Sequence, residues 1–373
     1  MKPAPSSSIL HHFSPIKDPR IDRQKKHQLS DIFFITLCAV ICGADNWVMI
    51  EEFGKAKKDW FEKQLGGLPN DIPSHDTFGR VFSAIDTEAF SQCFSRWVAD
   101  VASLTHGEVV AIDGKTVRRS LDRASNKAAI HMVSAWAQHN HLVLGQEKVA
   151  EKSNEITAIP RLLERLDLTG AVVTIDAMGC QKSIARKIVE KNADYVLSLK
   201  GNQSALHDDV QTFFTKRTRP VVAFEQVDGG HGRVETRQLC VSDDIQWLRE
   251  RHPEWTGMQS ILAVTARRED SDNTEQETRY FISSLRANQP ARLGEAVRAH
   301  WGIENKLHWV LDVAFDEDRN RTRQGNGAAN LSIIRHIALN LIRNEKSTKV
   351  GIKTKRAKAG WDNQYLLKLL GMN

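Results

Sequence analysis

The chain has 373 residues, of which 41% are hydrophobic and 26% charged. That is an ordinary globular balance, and it excludes disorder, collagen and a disulfide scaffold for its bulk. The length suffices for two or three domains with real cores.

The formal net charge is +6, unevenly spread: residues 319–359 hold eleven Lys/Arg and one acid, Glu345. A basic segment on a slightly acidic body fits a polyanion partner, most simply nucleic acid. Five scattered cysteines with no CxxC pair argue against zinc ribbons and redox motifs and for a reduced, cytoplasmic chain. The first ten residues lack a signal-peptide core. The longest apolar run, residues 32–42, is 11 residues. A bilayer span needs about 20, so no membrane anchor is expected.

Residues 1–28 read as a polar lead-in. Residues 29–105 read as all-helical. One helix runs from a Ser30 cap through Cys42, a second covers 47–64, a third covers 75–85 with Ser74 as cap, and a fourth covers 87–104. From Gly107 the texture changes to strand-like runs at 108–113, 128–138 and 142–150. A helical stretch at 153–166, a strand at 171–175, a helix at 181–192 and a strand at 195–199 follow. The order β-β-β-α-β-α-β predicts a mixed sheet with helices on its faces. Four more strand-like runs between 220 and 285 read as an inserted β-rich subdomain. A long helix at 291–315, another at 331–342 and a basic tail at 346–373, closed by a short apolar helix at 361–370, complete the chain.

Two carboxylates stand in matched settings. "VVAIDGK" and "VVTIDAM" each place an Asp, Asp113 and Asp176, directly after a β-branched apolar run. An Asp there is usually a turn former or cap. If the two strands are adjacent, however, both acids reach one sheet edge, where close like charges are costly unless a cation lies between them. Mg²⁺ takes hard oxygen ligands and keeps several waters, so a few carboxylates suffice. Two such ions suit phosphoryl transfer. Glu304, on the long helix, is the candidate third acid.

The strings "AIDGKTVRRS", "TIDAMGCQ", "YVLSLKGNQ", "GGHGRVETR" and "HWGIENKLHWVLDVAFDED" resemble the H-repeat-associated proteins. These are DDE-type insertion-sequence transposases found with bacterial Rhs elements, and the resemblance covers nearly the whole chain. It implies an RNase-H-like α/β catalytic domain at 106–345, with a β-rich insertion at about 204–289, after an all-helical N-terminal domain. It implies that Asp113, Asp176 and Glu304 are the catalytic, metal-binding triad, with two Mg²⁺ ions for which Mn²⁺ can substitute. The implied activity is cleavage of double-stranded DNA at element ends and joining of the freed 3′-OH to target DNA, without a covalent protein–DNA intermediate. Synapsis of two ends implies a homodimer on DNA. A DNA-binding remnant without catalysis is the alternative reading.

The resemblance has one departure. In many relatives an Arg lies four residues before the Glu and a Lys seven after it; here those positions hold His300 and Leu311. His300, Glu304, His308 and Asp312 recur every four residues and so share a helix stripe. His300 and His308 are candidates for phosphate contact, with packing beside Trp301 and Trp309 the equal alternative. Lys115, Arg118, Arg119, Lys200, Asn202 and Arg233 are further DNA-contact candidates, each weighed against plain solvated surface.

Overall fold

The computed structural model describes residues 5–102, 107–121, 128–150, 153–216, 222–230, 233–269 and 274–372. The ends of several expected elements, at residues 104 and 221, and part of the "GGHGRVETR" string lie outside them.

Among the described residues, six α-helices come before the sheet: α1 (Pro5–Phe13), α2 (Leu29–Ile41), α3 (Trp47–Ala56), α4 (Lys58–Leu65), α5 (His75–Ala84) and α6 (Thr87–Val101). Two start where side-chain caps are expected. Ser74 accepts from the Thr77 N–H, and Asp86 accepts from Glu88 and Ala89. Ser30 is not a cap: α2 begins one residue earlier, and Gln28 stands at its entry without a side-chain hydrogen bond. The expected helix at 47–64 is two helices that meet at Lys57.

The sheet opens with β1 (Val109–Thr116), β2 (His131–Ala137) and β3 (Leu142–Lys148), then α7 (Glu155–Arg165), β4 (Val172–Ile175), α8 (Lys182–Glu190) and β5 (Asp194–Leu199). Helix α9 (Ser204–Lys216) leads into β6 (Val222–Gly230) and β7 (Arg233–Ser242). Helix α10 (Gln246–Arg251) precedes β8 (Ser260–Glu269) and β9 (Thr274–Ser283). Nine strands lie in one sheet, in the order β3-β2-β1-β4-β5-β9-β8-β7-β6. Pairs β1–β4 and β4–β5 are parallel and the others antiparallel. Central position explains why β4 is buried along its whole length and reads as an unbroken apolar run. The four late strands extend the same sheet through β5–β9 pairing, so the insertion is a continuation of the sheet rather than a separate β-unit.

Three helices lie end to end or nearly so after β9. Helix α11 (Pro290–Ile303), a π-helical turn (Glu304–His308) and α12 (Trp309–Phe315) form the long helix expected from periodicity. Helix α13 (Gly327–Asn344) is buried from Gly327 through Ile342 and packs against α2, α5, α6 and β3. It is therefore the hub through which the N-terminal helices and the sheet share one core. Two of its asparagines bond to neighbouring elements. Asn340 donates to the Val143 carbonyl and accepts from the Val143 N–H, and Asn330 donates to the carbonyls of Phe82 and Ile85.

The C-terminal segment departs from a solvated tail. It folds as α14 (Ile352–Trp361) and α15 (Asn363–Leu370). Arg356 is buried and donates to the Val40 carbonyl at 2.7 Å, to Asp45 at 2.7 Å and to the Ala314 carbonyl. Lys355 is buried against the Ile342 carbonyl and Glu345. Much of the local positive charge is thus spent on holding helices together. Among the described residues, no helix is long and apolar enough to cross a membrane.

Candidate active site

Asp113 lies inside β1 rather than at its end. The parallel ladder with β4 stops at Ile112↔Ile175, while the antiparallel ladder with β2 runs on through Asp113↔Ser134 to Thr116. The acid therefore emerges where the sheet splits, one residue beyond the last β1–β4 pair. Asp176 follows the matching end of β4, so both acids leave the same edge, as their matched settings predict. Asp176 also acts as a turn former: its carboxylate accepts from the Gly179 N–H at 3.2 Å.

The helix after the sheet delivers the third acid. Between α11 and α12 the Trp309 N–H reaches back to the Glu304 carbonyl, five residues away, which is a π-helical hydrogen bond. Such turns are rare and are frequent at functional sites. Helix and sheet approach closely here: a Cβ on Gly302 would lie 2.3 Å from Gln138 Oε1.

Asp113, Glu304 and His308 each offer a ligand atom within 4.8 Å of the others. His308 Nδ1 stands 3.7 Å from Asp113 and 3.6 Å from Glu304. Asp176 lies outside that trio but lines the same cavity of about 230 Å³, with Asp113, Lys200, Arg279, His300 and Glu304. Burial pushes the Asp113 carboxyl up to about 6, against the pull of His308. Contact with His308 instead lowers Glu304, which is largely exposed. Burial lowers the His300 imidazole against the pull of Asp176. His300 Nδ1 and His308 Nε2 are buried with no hydrogen-bond partner among the described residues.

The remaining sequence candidates divide. Lys115 does not face solvent. Its ammonium is held by Asp312 and, at 3.0 Å, by Glu317, and Arg335 backs Glu317 from the other side at 3.4 Å. Asn202 donates to the Ala177 carbonyl at 2.7 Å and so braces the loop after Asp176. Arg118 is exposed, 3.3 Å from Asp318, and Arg119 is exposed beside it. Lys200 is exposed at the cavity rim. Arg233 stands at the start of β7.

Sequence reasoning missed Arg279. It lies on β9, lines the cavity, and places its guanidinium 4.8 Å over the Trp301 ring. Its only signal in the sequence is alternation along a strand, which many charged residues share. Gly114 leaves room for the His131–Glu155 pair, bonded at 2.6 Å, which a Cβ there would meet at 2.1–2.3 Å.

A match to the "Transposase DDE domain" family covers residues 105–341, and a "DDE_Tnp_1-associated" match covers residues 10–98. The chain belongs to the DDE transposase family. It is 45% identical to "Putative transposase YncI" of Escherichia coli O157:H7, over 97% of this chain and 94% of that protein. It is 42% identical to "H repeat-associated putative transposase YhhI" of Escherichia coli K12, over 97% of each. A short relative, "Inactive transposase YbfQ" of the same strain, is 47% identical over 20% of this chain. The resemblance to H-repeat-associated proteins therefore holds, and the family implies an RNase-H-like core for the first five strands. Membership also implies use of a divalent metal ion.

The residues present fit such an ion. The donors are hard carboxylate oxygens on Asp113 and Glu304, with an imidazole beside them. Asp113 is a carboxyl whose ionised form lacks compensation in its buried setting, which is the condition a bound cation relieves.

Proposed function

We propose that the protein cleaves DNA at the ends of its insertion sequence and transfers the freed strand to target DNA, with Asp113, Asp176 and Glu304 as the metal-holding, catalytic acids. The observation that carries the reading is the convergence of Asp113 and Glu304 within 4.8 Å, from elements 191 positions apart in sequence, over a cavity that Asp176 also lines.

A bound Mg²⁺ pair supplies an activated attacking oxygen and charge compensation for the leaving one. The chain's own residues do the rest. Asp113 and Asp176, rooted on adjacent parallel strands, would hold the ions, and with them the reacting phosphate, at the sheet edge. Glu304 closes the site from the helix, and the π-helical turn sets its angle. Water attack breaks the P–O3′ bond and frees a 3′-OH. That oxygen then attacks a target phosphodiester, and the target's 3′ oxygen leaves. The first step is a hydrolysis and the second exchanges one phosphodiester for another, so no energy-carrying cofactor is consumed.

Arg279 and Lys200 supply the phosphate-facing positive charge that His300 and Leu311 do not. His300 lines the pocket as a contact to phosphate, and His308, buried behind Asp113 and Glu304, stands by the metal-holding groups. Strand exchange between two ends calls for two copies on DNA, and the reaction belongs in the bacterial cytoplasm.

The test is incubation with linear DNA that carries the element's own ends, in Mg²⁺ and in EDTA, beside Glu304→Gln. Cleavage that needs both the metal and Glu304 is expected. Binding of the ends without any cutting, in Mg²⁺ or Mn²⁺, would instead favour the DNA-binding remnant, a reading kept in view by the relative named as inactive.

A further inference from the structure

The basic segment is the feature the active site does not absorb. The structure sorts its cations into two groups. Arg335, Lys355 and Arg356 are buried and paired, and Arg343 is largely buried over Trp136. Arg319, Arg321 and Lys353 face outward and share a groove of about 1070 Å³. This groove is larger than the catalytic cavity and separate from it. One wall is the start of α3, with Val48 and Met49 exposed. The other is the end of α12, with Val313 exposed, and the loop that follows it.

Its acids are largely committed. Asp45 is bonded to Arg356 at 2.7 Å, and Asp316 sits 3.7 Å from Arg319. Among the described residues, Arg321 and Lys353 have no ion-pair partner. Beyond the end of β1, Arg118 and Arg119 are exposed, Arg118 lies 3.3 Å from Asp318, and Arg323 donates to the Arg119 carbonyl.

We infer that this groove seats the sugar-phosphate backbone of duplex DNA flanking the cleaved phosphate, with Arg319, Arg321 and Lys353 as the phosphate contacts. The inference rests on the DNA-transposition reading above and adds a surface to it. Helical rise carries the argument. Val313 lies nine residues beyond Glu304 on one nearly continuous helix, which at ~1.5 Å per residue is about 14 Å. Phosphates on one strand recur every ~3.4 Å. A duplex with its reacting phosphate at Asp113 and Glu304 therefore reaches the groove after about four base pairs. Backbone contacts of this kind set position and register and carry no sequence preference. The exposed Val48, Met49 and Val313 are compatible with the sugar face that lies between phosphates.

The test is fluorescence anisotropy of a labelled 30-base-pair duplex with the full chain in EDTA, across a salt series. Wild type, Arg321→Ala/Lys353→Ala and Asp113→Asn are compared. The double variant is expected to bind roughly tenfold more weakly. Its slope of log affinity against log salt is expected to be shallower by about 2, or ~0.9 for each lost phosphate contact. Asp113→Asn is expected to bind with the wild-type slope. Both altered groove side chains are exposed, and an unchanged melting temperature confirms that the double variant folds.

A wild-type slope in the double variant overturns the groove while leaving the transposition reading intact. Wild type that binds no duplex at all overturns both. Poly-glutamate is the competing polyanion. If it binds with full dependence on Arg321 and Lys353 while duplex binding ignores them, the groove serves an acidic protein segment and the DNA assignment is lost.

Discussion

Lys115 Nζ lies 3.0 Å from Glu317 Oε2, in the interior, two residues along β1 from Asp113. The same ammonium holds Asp312, eight residues beyond Glu304 on the helix that carries it. One cation thus ties the strand that bears the first acid to the helix that bears the last. Burial alone would push the Glu317 carboxyl up. Lys115 and Arg335 reverse this and hold it at about 2.

Replacing Lys115 by Met leaves Glu317 with Arg335 and leaves Asp312 with no cation partner among the described residues. Breaking a buried pair from one side costs about 3–5 kcal/mol. Lys115→Met is expected to lower the unfolding free energy from chemical denaturation by that amount. Lys115→Arg is expected to recover most of the stability and less of the cleavage, because its planar fork cannot reproduce the same two contacts at one point. Cleavage of element ends measured beside duplex binding checks this: cleavage should fall further than binding.

The raised Asp113 carboxyl sets a pH window. Its folded value of about 6 exceeds the ordinary 3.8, so the folded protein holds an extra proton between those values. Ionisation there costs the folded state, and metal-free stability falls as pH rises from about 4 to about 6, by at most about 3 kcal/mol at ~1.4 kcal/mol per unit. Metal binding displaces that proton. The Mn²⁺-induced rise in melting temperature is therefore expected to grow with pH up to about 6 and to level off above it. In Asp113→Asn the pH dependence of that rise should vanish. An unchanged dependence in the variant would remove Asp113 from the metal site.

How much of this was legible in the sequence follows from how local each signal is. Asp113 and Asp176 were readable because a buried parallel strand is a continuous apolar run, and an acid at its end breaks the run visibly. Glu304 was readable from helical spacing together with resemblance to a family. The π-helical turn that angles it was not, because a π bond is one hydrogen bond shifted by one residue and leaves no periodic trace over five positions. Continuation of the sheet through β9 was hidden for another reason. Strand pairing across 80 residues is a tertiary choice, and alternation along β6–β9 fits a separate unit equally well. The misread cations show the limit of composition. Lys115, Lys355 and Arg356 look like surface charge in the sequence, and only the carbonyls and acids brought to them by distant helices show them to be internal.

Acid sensitivity should centre on His336. The ring is fully buried, stacks with Phe94, and has no partner on either nitrogen among the described residues. Burial holds its pKa down at about 3. The unfolded chain takes up this proton near 6.5 and the folded one does not, so stability is lost as pH falls from about 6.5 toward 3. Glu317 adds to the loss below about 4.5, because its folded value is depressed. His336→Leu is expected to be nearly neutral at pH 7.5, since no hydrogen bond is removed. Its acid-unfolding midpoint, followed by circular dichroism, should move to lower pH. A midpoint equal to wild type would mean that the imidazole is not the acid trigger.

Arg356 gives the sharpest contrast between a solvated tail and a folded one. A surface arginine contributes within about ±0.5 kcal/mol. Here the guanidinium packs over Phe315 at 4.1 Å and satisfies the carbonyls of Val40 and Ala314 together with Asp45. Those groups belong to α2, to α12 and to the turn before α3, so one side chain from α14 joins three parts of the fold. Arg356→Ala strands the Ala314 carbonyl and a largely buried carboxylate, and leaves the Val40 carbonyl with the Gly43 N–H. At about 1–3 kcal/mol for each unsatisfied group, a loss of at least about 2 kcal/mol is expected in urea denaturation. Arg356→Lys retains the charge but reaches fewer acceptors and should fall between. Lys353→Ala, one helical turn away and exposed, is the internal control and should leave the denaturation midpoint unchanged. If Arg356→Ala unfolds at the same urea concentration as Lys353→Ala, the C-terminal helices do not hold the core together, and the basic segment is a tail after all.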